Sequence, residues 1–184
     1  MQSMILYLKK ILLAIELFFV ILFVHWDKVL FVGIIALDQF IKAKIIGSMI
    51  PGESIPVLQD IFHITYVLNP GAAFGILPNQ RIFFLVAGGI LLVLAAYFYP
   101  KISKKDNLSK LGAISLVSGA TANLIDRVQS GLVVDFLDVR GWPVFNIADV
   151  AIVGGMFVMV YIILFKMEGQ STQDLSNGTK ELES

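Results

Sequence analysis

The sequence predicts a mainly α, polytopic membrane protein folded as one membrane-embedded domain, and three observations carry that prediction. Of its 184 residues 57% are hydrophobic, too many for a soluble domain of this size to cover with polar surface. Only 15% are charged, and those few collect beside long apolar runs or between them. There is no cysteine, which removes disulfide frameworks, thiolate metal sites and cysteine nucleophiles together. A formal net charge of zero offers nothing to a nucleic acid.

Ile11–Val24 is apolar except for Glu16, and the HWDK at residues 25–28 separates it from a second apolar run that ends at Asp38 and Lys42. The second run predicts a span from about Trp26 to Ile45. Residues 1–25 form an N-terminal apolar extension that reads as an interfacial helix, a helix continuous with the first span, or an added span, the first two being preferred.

Residues 46–80 are not a plain loop. IPVL at 55–58 and IFHITYVL at 61–68 are rich in β-branched and aromatic residues, with Pro and Gly beside them, which predicts a short sheet at the membrane surface. NPGAAFG at 69–75 follows, where small residues permit close approach of a backbone or a lipid chain. Arg81–Pro100 has no charge after its first residue, and a helix of that length crosses roughly 30 Å. Leu111–Ile125 is uncharged but rich in Gly, Ala and Ser, the composition of a helix packed inside a bundle. Val150–Phe165 is a further apolar run. Lys101, Lys104, Lys105 and Lys110 connect two of the spans and assign that side to the cytoplasm, so residues 46–80 and 129–146 fall on the outer face. Residues 167–184 are polar and predict a disordered cytoplasmic tail. The membrane-embedded domain is thus residues 26–166.

Ionisable residues near spans are costly and mark functional sites by default. Asp38, Lys42, Asp126, Arg127, Asp135, Asp138, Arg140 and Asp149 all fall near the outer ends of spans. Asn123, Asp126 and Arg127 stand at i, i+3 and i+4, on neighbouring helix faces; a helix-end ion pair is the plain alternative for Asp126 and Arg127. VVDF at 133–136 sets Asp135 on the opposite side of a strand from Val134 and Phe136. FNIAD at 145–149 also reads as a helix start, with Asn146 as N-cap and Asp149 as an acidic third residue. Two carboxylates held close cannot both ionise easily, so one keeps a proton while the other serves as a base toward water. That pair adds water to an amide without a metal or a covalent intermediate. His25 and His63 lack zinc-ligand spacing and read as structural. A small transporter is the competing class, and no internal repeat or broken-helix pair supports it.

LDQFIK at 37–42, NPGAAFG at 69–75, SGATANLIDR at 118–127, VVDF and FNIAD occur together, in the order and on the side found in bacterial lipoprotein signal peptidase (signal peptidase II), which the chain resembles from about residue 26 to 166. The resemblance implies a four-transmembrane-helix bundle with a small outer-face β-cradle. It implies a multi-pass protein of the bacterial cytoplasmic (inner or plasma) membrane whose active site faces outward. The implied activity is aspartic endopeptidase cleavage of diacylglyceryl-modified prolipoproteins just before the lipidated cysteine, by a monomer among membrane lipids, with no cofactor, metal or nucleic acid. Carried over by motif, Asp135 and Asp149 resemble the catalytic aspartates. Asn69, Asn123, Arg127 and Asn146 resemble residues that line or support the site, and Asp38 and Lys42 the first-helix pair. Asp126 resembles a buried partner that orders the third helix, and Gly71 and Ala72 a strip beside the substrate. Ala122 stands where the family usually has Gly, and residues 1–25 have no clear counterpart.

Overall fold

The computed structural model describes residues 10–12, 24–71, 79–102 and 106–166. Within them four long helices carry a three-stranded sheet at one end. The helices are α1 (Trp26–Ser48), α2 (Arg81–Ile102), α3 (Asn107–Gln129) and α4 (Ile147–Tyr161), the last running on as a π-helical turn, Ile162–Lys166. The strands are β1 (Ser54–Leu58), β2 (Phe62–Asn69) and β3 (Val133–Val139), antiparallel in the order β1-β2-β3. Most of the N-terminal extension, Lys104, Lys105 and the tail from residue 167 lie outside the described residues, as does Ala72.

Among the described residues three helices are long and apolar enough to cross a membrane: Arg81–Ile102, Asn107–Gln129 and Ile147–Phe165. α1 matches them in length but carries Asp27, Lys28, Asp38, Lys42 and Lys44, and what it buries is Asp38, Lys42 and Ile45. α2 has no buried residue, as suits a helix surrounded by lipid. α3 buries Gly112, Ser118, Gly119, Ala122 and Asn123 among others, so its small-residue composition does place it inside the bundle. It starts on Asp106, whose carboxylate accepts from the Leu108 and Ser109 amides at 3.0 Å each, satisfying donors that the first turn leaves open.

Glycine decides how closely α3 and α4 approach. A methyl group at Gly119 would stand 2.3 Å from the Ala148 carbonyl oxygen, and one at Gly155 2.6 Å from that of Gly112. Ala122, where the resemblance leads one to expect Gly, is fully buried in the bundle.

The sheet has a core of its own. Ile45 and Met49 from the end of α1, Tyr66 from β2 and Val134 and Phe136 from β3 form one buried cluster. The alternation that sends Val134 and Phe136 to this cluster sends Asp135 to the other face. A bulge adds to this: Ile64 pairs with Leu137 but Val67 with Asp135, so Thr65 and Tyr66 together face Phe136. One extra residue exchanges the two faces of the rest of β2. Without it Tyr66 and Leu68 would share the face of Asp135; with it Val67 and Asn69 do.

Candidate active site

Asp38, Lys42, Asn69, Asn123, Asp126, Arg127, Asp135, Asn146 and Asp149 collect at the end of the bundle that carries the sheet. The site is built from the C-terminal half of α1, the last turns of α3, the strand β3 and the first turn of α4. A cavity of about 620 Å³ opens there, lined by Asn69, Gly71, Asn123, Arg127, Asp135 and Asp149 and walled by the apolar Trp142–Phe145 loop and by Val150, Val153, Gly154 and Phe157 of α4.

Asp135 is 2% exposed and each of its oxygens accepts one amide. Asn69 Nδ2 donates to Oδ2 at 2.8 Å, and Asn146 Nδ2 to Oδ1 at 2.7 Å. The bulge makes the first of these possible, since Asn69 pairs with Val133 and is the diagonal neighbour of Asp135 on one face. Asn69 has no freedom to rotate its amide, because its Oδ1 accepts from Gly71 N at 2.9 Å. Burial above all, then the negative charge of Asp149, pushes the Asp135 carboxyl up to about 7, against the two amide hydrogen bonds and the charge of Lys42.

Asp149 is both a helix cap and a cavity residue. Asn146 Oδ1 accepts from Asp149 N at 2.9 Å, while Asp149 Oδ2 accepts from Asn146 N at 3.1 Å, a reciprocal capping box. The remaining oxygen, Oδ1, accepts from Asn123 Nδ2 at 2.8 Å. The structural reading of FNIAD therefore holds, and it does not compete with a functional one: the cap is what aims the carboxylate. Asn146, fully buried, joins the two acids, since its side chain holds Asp135 through nitrogen and the α4 amide of Asp149 through oxygen.

Behind the cavity lies a buried ionic cluster. Lys42 Nζ pairs with Asp38 Oδ2 at 2.7 Å and Asp126 Oδ2 at 2.6 Å and donates to Asn123 Oδ1 at 3.0 Å. Asp126 thus pairs with α1 and not with its neighbour Arg127. Arg127 turns to the cavity instead, donating from Nη2 to the Gly71 carbonyl at 2.9 Å and stacking 4.5 Å from the centre of the Phe84 ring. Sequence reasoning missed Gln39, whose Nε2 donates to Asp126 Oδ1 at 2.7 Å and to the Ala122 carbonyl at 3.2 Å. The available signal was its place inside LDQFIK. The Trp142–Phe145 wall is held against β3 by Phe145 pairing with Leu137.

His63 sits in β2 and stays out of the cavity. Its Nδ1 accepts from Arg140 Nη2 at 2.8 Å and lies 3.2 Å from Ser54 Oγ, next to the bond from Thr65 Oγ1 to Asp138 Oδ2 at 2.6 Å. Asp138 and Arg140 accordingly belong to the sheet and not to the acid pair. Among the described residues no three His, Asp or Glu side chains converge as metal ligands would.

Comparison with known proteins gives one consistent answer. Residues 30–165 match the family model described as signal peptidase (SPase) II. The chain is 43% identical over 143 residues to the lipoprotein signal peptidase of Pelotomaculum thermopropionicum, covering 77% of this chain and 93% of that protein. It is 46% identical over 136 residues to that of Moorella thermoacetica, covering 71% and 87%. A solved bacterial membrane enzyme superposes with a TM-score of 0.72 at 34% identity, over 76% of this chain and 87% of the other.

Proposed function

The chain belongs to the signal peptidase II family, and from that premise we propose that it removes signal peptides from diacylglyceryl-modified prolipoproteins, cutting just before the lipidated cysteine, with Asp135 and Asp149 as its catalytic pair. The observation that carries the proposal is the double grip of Asn146, which brings a buried carboxyl and a half-buried one from separate elements to one cavity. In this reading α1 is a fourth span, its charged residues turned into the bundle. The lysines at Lys101 and Lys110 face the cytoplasm, and the cavity opens near the outer surface of the cytoplasmic membrane.

The apolar stripe of Val150, Val153, Gly154 and Phe157 descends from Asp149 along α4 and opens sideways. A substrate enters laterally there, its acyl chains staying among lipid. The acid that remains protonated polarises the scissile carbonyl, and the ionised one takes a proton from water as the water attacks. The roles reverse when the amine leaves, the proton going to its nitrogen. Asn69, Asn123 and Asn146 hold the carboxyls throughout and need not reorganise during the reaction. Arg127 fixes the Gly71 carbonyl at the rim of the cavity, beside the substrate backbone. The enzyme works as a monomer and without a cofactor.

The test is incubation of the purified chain with a prolipoprotein, with and without its diacylglyceryl group, followed by mass spectrometry. A product whose N-terminus is the lipidated cysteine, formed only from the modified substrate, supports the proposal. Cleavage elsewhere, or equal cleavage of the unmodified protein, contradicts it.

A further inference from the structure

Lys42 does not line the cavity, yet its ammonium ends three lines of contact that reach both aspartates. The first runs through Asp38: one oxygen meets Lys42, and the other accepts from Ala148 N at 2.9 Å. Ala148 N belongs to the first turn of α4, where backbone donors lack helical partners, and its residue adjoins Asp149. The second line runs through Asp126, whose Oδ2 meets Lys42 and also accepts from Val134 N at 3.4 Å, one residue before Asp135.

The third line concerns polarity. An amide side chain can present either its oxygen or its nitrogen, but an ammonium only donates. Lys42 therefore fixes Asn123 with its oxygen toward Nζ and its nitrogen toward Asp149. Asn146 Nδ2 donates to the same Asn123 oxygen at 3.1 Å, so Lys42 and the residue that grips Asp135 share one acceptor. With the ammonium gone, the Asn123 oxygen keeps only that neutral donor and loses its charged anchor. Lys42 is 2% exposed and Asp38 0%, so water does not substitute for the missing donor.

We infer that Lys42 is a positioning residue for the cleavage reaction, anchoring the Asn123 amide that holds Asp149 and, through Asp38 and Asp126, the backbone beside each aspartate. The inference rests on the function proposed above. The charged groups around Nζ are Asp38 on its own helix and Asp126 on α3, with Arg127 on α3, Asp135 on β3 and Asp149 on α4 beyond them.

The experiment compares wild type with Lys42→Met, and with the double variant Lys42→Met/Asp38→Asn, which removes a charge pair together and retains an oxygen for Ala148 N. Rates on a diacylglyceryl-modified peptide are normalised to folded protein, measured by gel filtration and thermal melting. The expected result is a kcat lower by about 30- to 100-fold, a KM within about threefold because the cavity wall is untouched, and a kcat–pH profile displaced upward because a cation near both carboxyls is gone. If the single variant does not fold, the double variant decides by kcat and KM, since losing the Asp38 anion with the cation offsets the pH displacement. A normalised kcat within about threefold of wild type and an unmoved pH profile would reduce Lys42 to a brace of the bundle and overturn the inference. Failure of the wild type to cleave strikes the proposed function itself, whereas cleavage by wild type with unaltered variants strikes this inference alone.

Discussion

Replacing Asn146 separates capping from catalysis, because its oxygen and nitrogen do different things. Asn146→Ala removes the N-cap of α4, worth about 1 kcal/mol, and the amide bond to the Asp135 carboxyl, worth about 1.5–3 kcal/mol for a charged partner. It also deprives the Val134 carbonyl of its 3.3 Å contact. The total loss is about 3–4 kcal/mol, and at about 2–4 °C per kcal/mol for a chain of this size the melting temperature falls by about 6–16 °C. Asn146→Ser keeps an oxygen able to cap Asp149 N but has no nitrogen for Asp135. It recovers about 1 kcal/mol of stability yet none of the activity. Both variants lose about 10²- to 10³-fold in kcat, because Asp135 is released from one of its two donors. Melting in detergent followed by intrinsic fluorescence gives the first quantity, and cleavage of a diacylglyceryl-modified peptide the second. Serine restoring activity along with stability would refute the reasoning, since the nitrogen would then be dispensable.

Further outcomes follow from the same geometry. Asp135 stays protonated until pH approaches about 7, and a mechanism that needs one protonated acid loses kcat/KM as pH rises through that value, about tenfold per unit; Asp149→Asn removes the charge that helps raise it, so the Asp135 carboxyl, followed by carbon NMR, titrates lower. Gly119→Ala drives a methyl into the Ala148 carbonyl, 2.3 Å away, and destabilises by about 3 kcal/mol or more, read as loss of melting temperature and activity together. Gly154 has open space where a Cβ would stand and lines the cavity, so Gly154→Leu leaves melting within about 2 °C but raises KM as the bulk narrows the lateral groove.

Much of this site was legible because its residues sit in short motifs whose local chemistry is strong. Alternation alone placed Asp135 opposite Val134 and Phe136, and spacing alone made Asn146 the cap of the helix that carries Asp149. The three apolar helices needed only the charge-free length of their runs. Pairing across the chain was not legible. Asp38 meets Ala148 across 110 residues and Lys42 meets Asn123 across 81, and no local pattern encodes such partners. The plain reading of Asp126 and Arg127 as an ion pair failed for this reason: adjacent charges on a helix point apart, and Lys42 was the nearer partner in space. The bulge at Thr65–Tyr66 was equally hidden, though it decides which face of β2 carries Asn69. α1 carries more charge than the other three helices because it buries Asp38 and Lys42 against each other and against Asp126, partners that its own sequence does not show. Gln39 went unnoticed since a lone amide in an apolar helix has no distinctive spacing.

The central claim is that Asp135 and Asp149 act as one acid–base unit, and single Asp→Asn variants test it most directly. The measurement is kcat on a diacylglyceryl-modified prolipoprotein for wild type, Asp135→Asn and Asp149→Asn, each checked for folding by melting and for substrate binding by competition. The account predicts that each variant folds and binds while its kcat falls by about 10⁴-fold or more, the two losses being of similar size because neither acid works alone. A folded variant of either position that cleaves within about tenfold of wild type would contradict it.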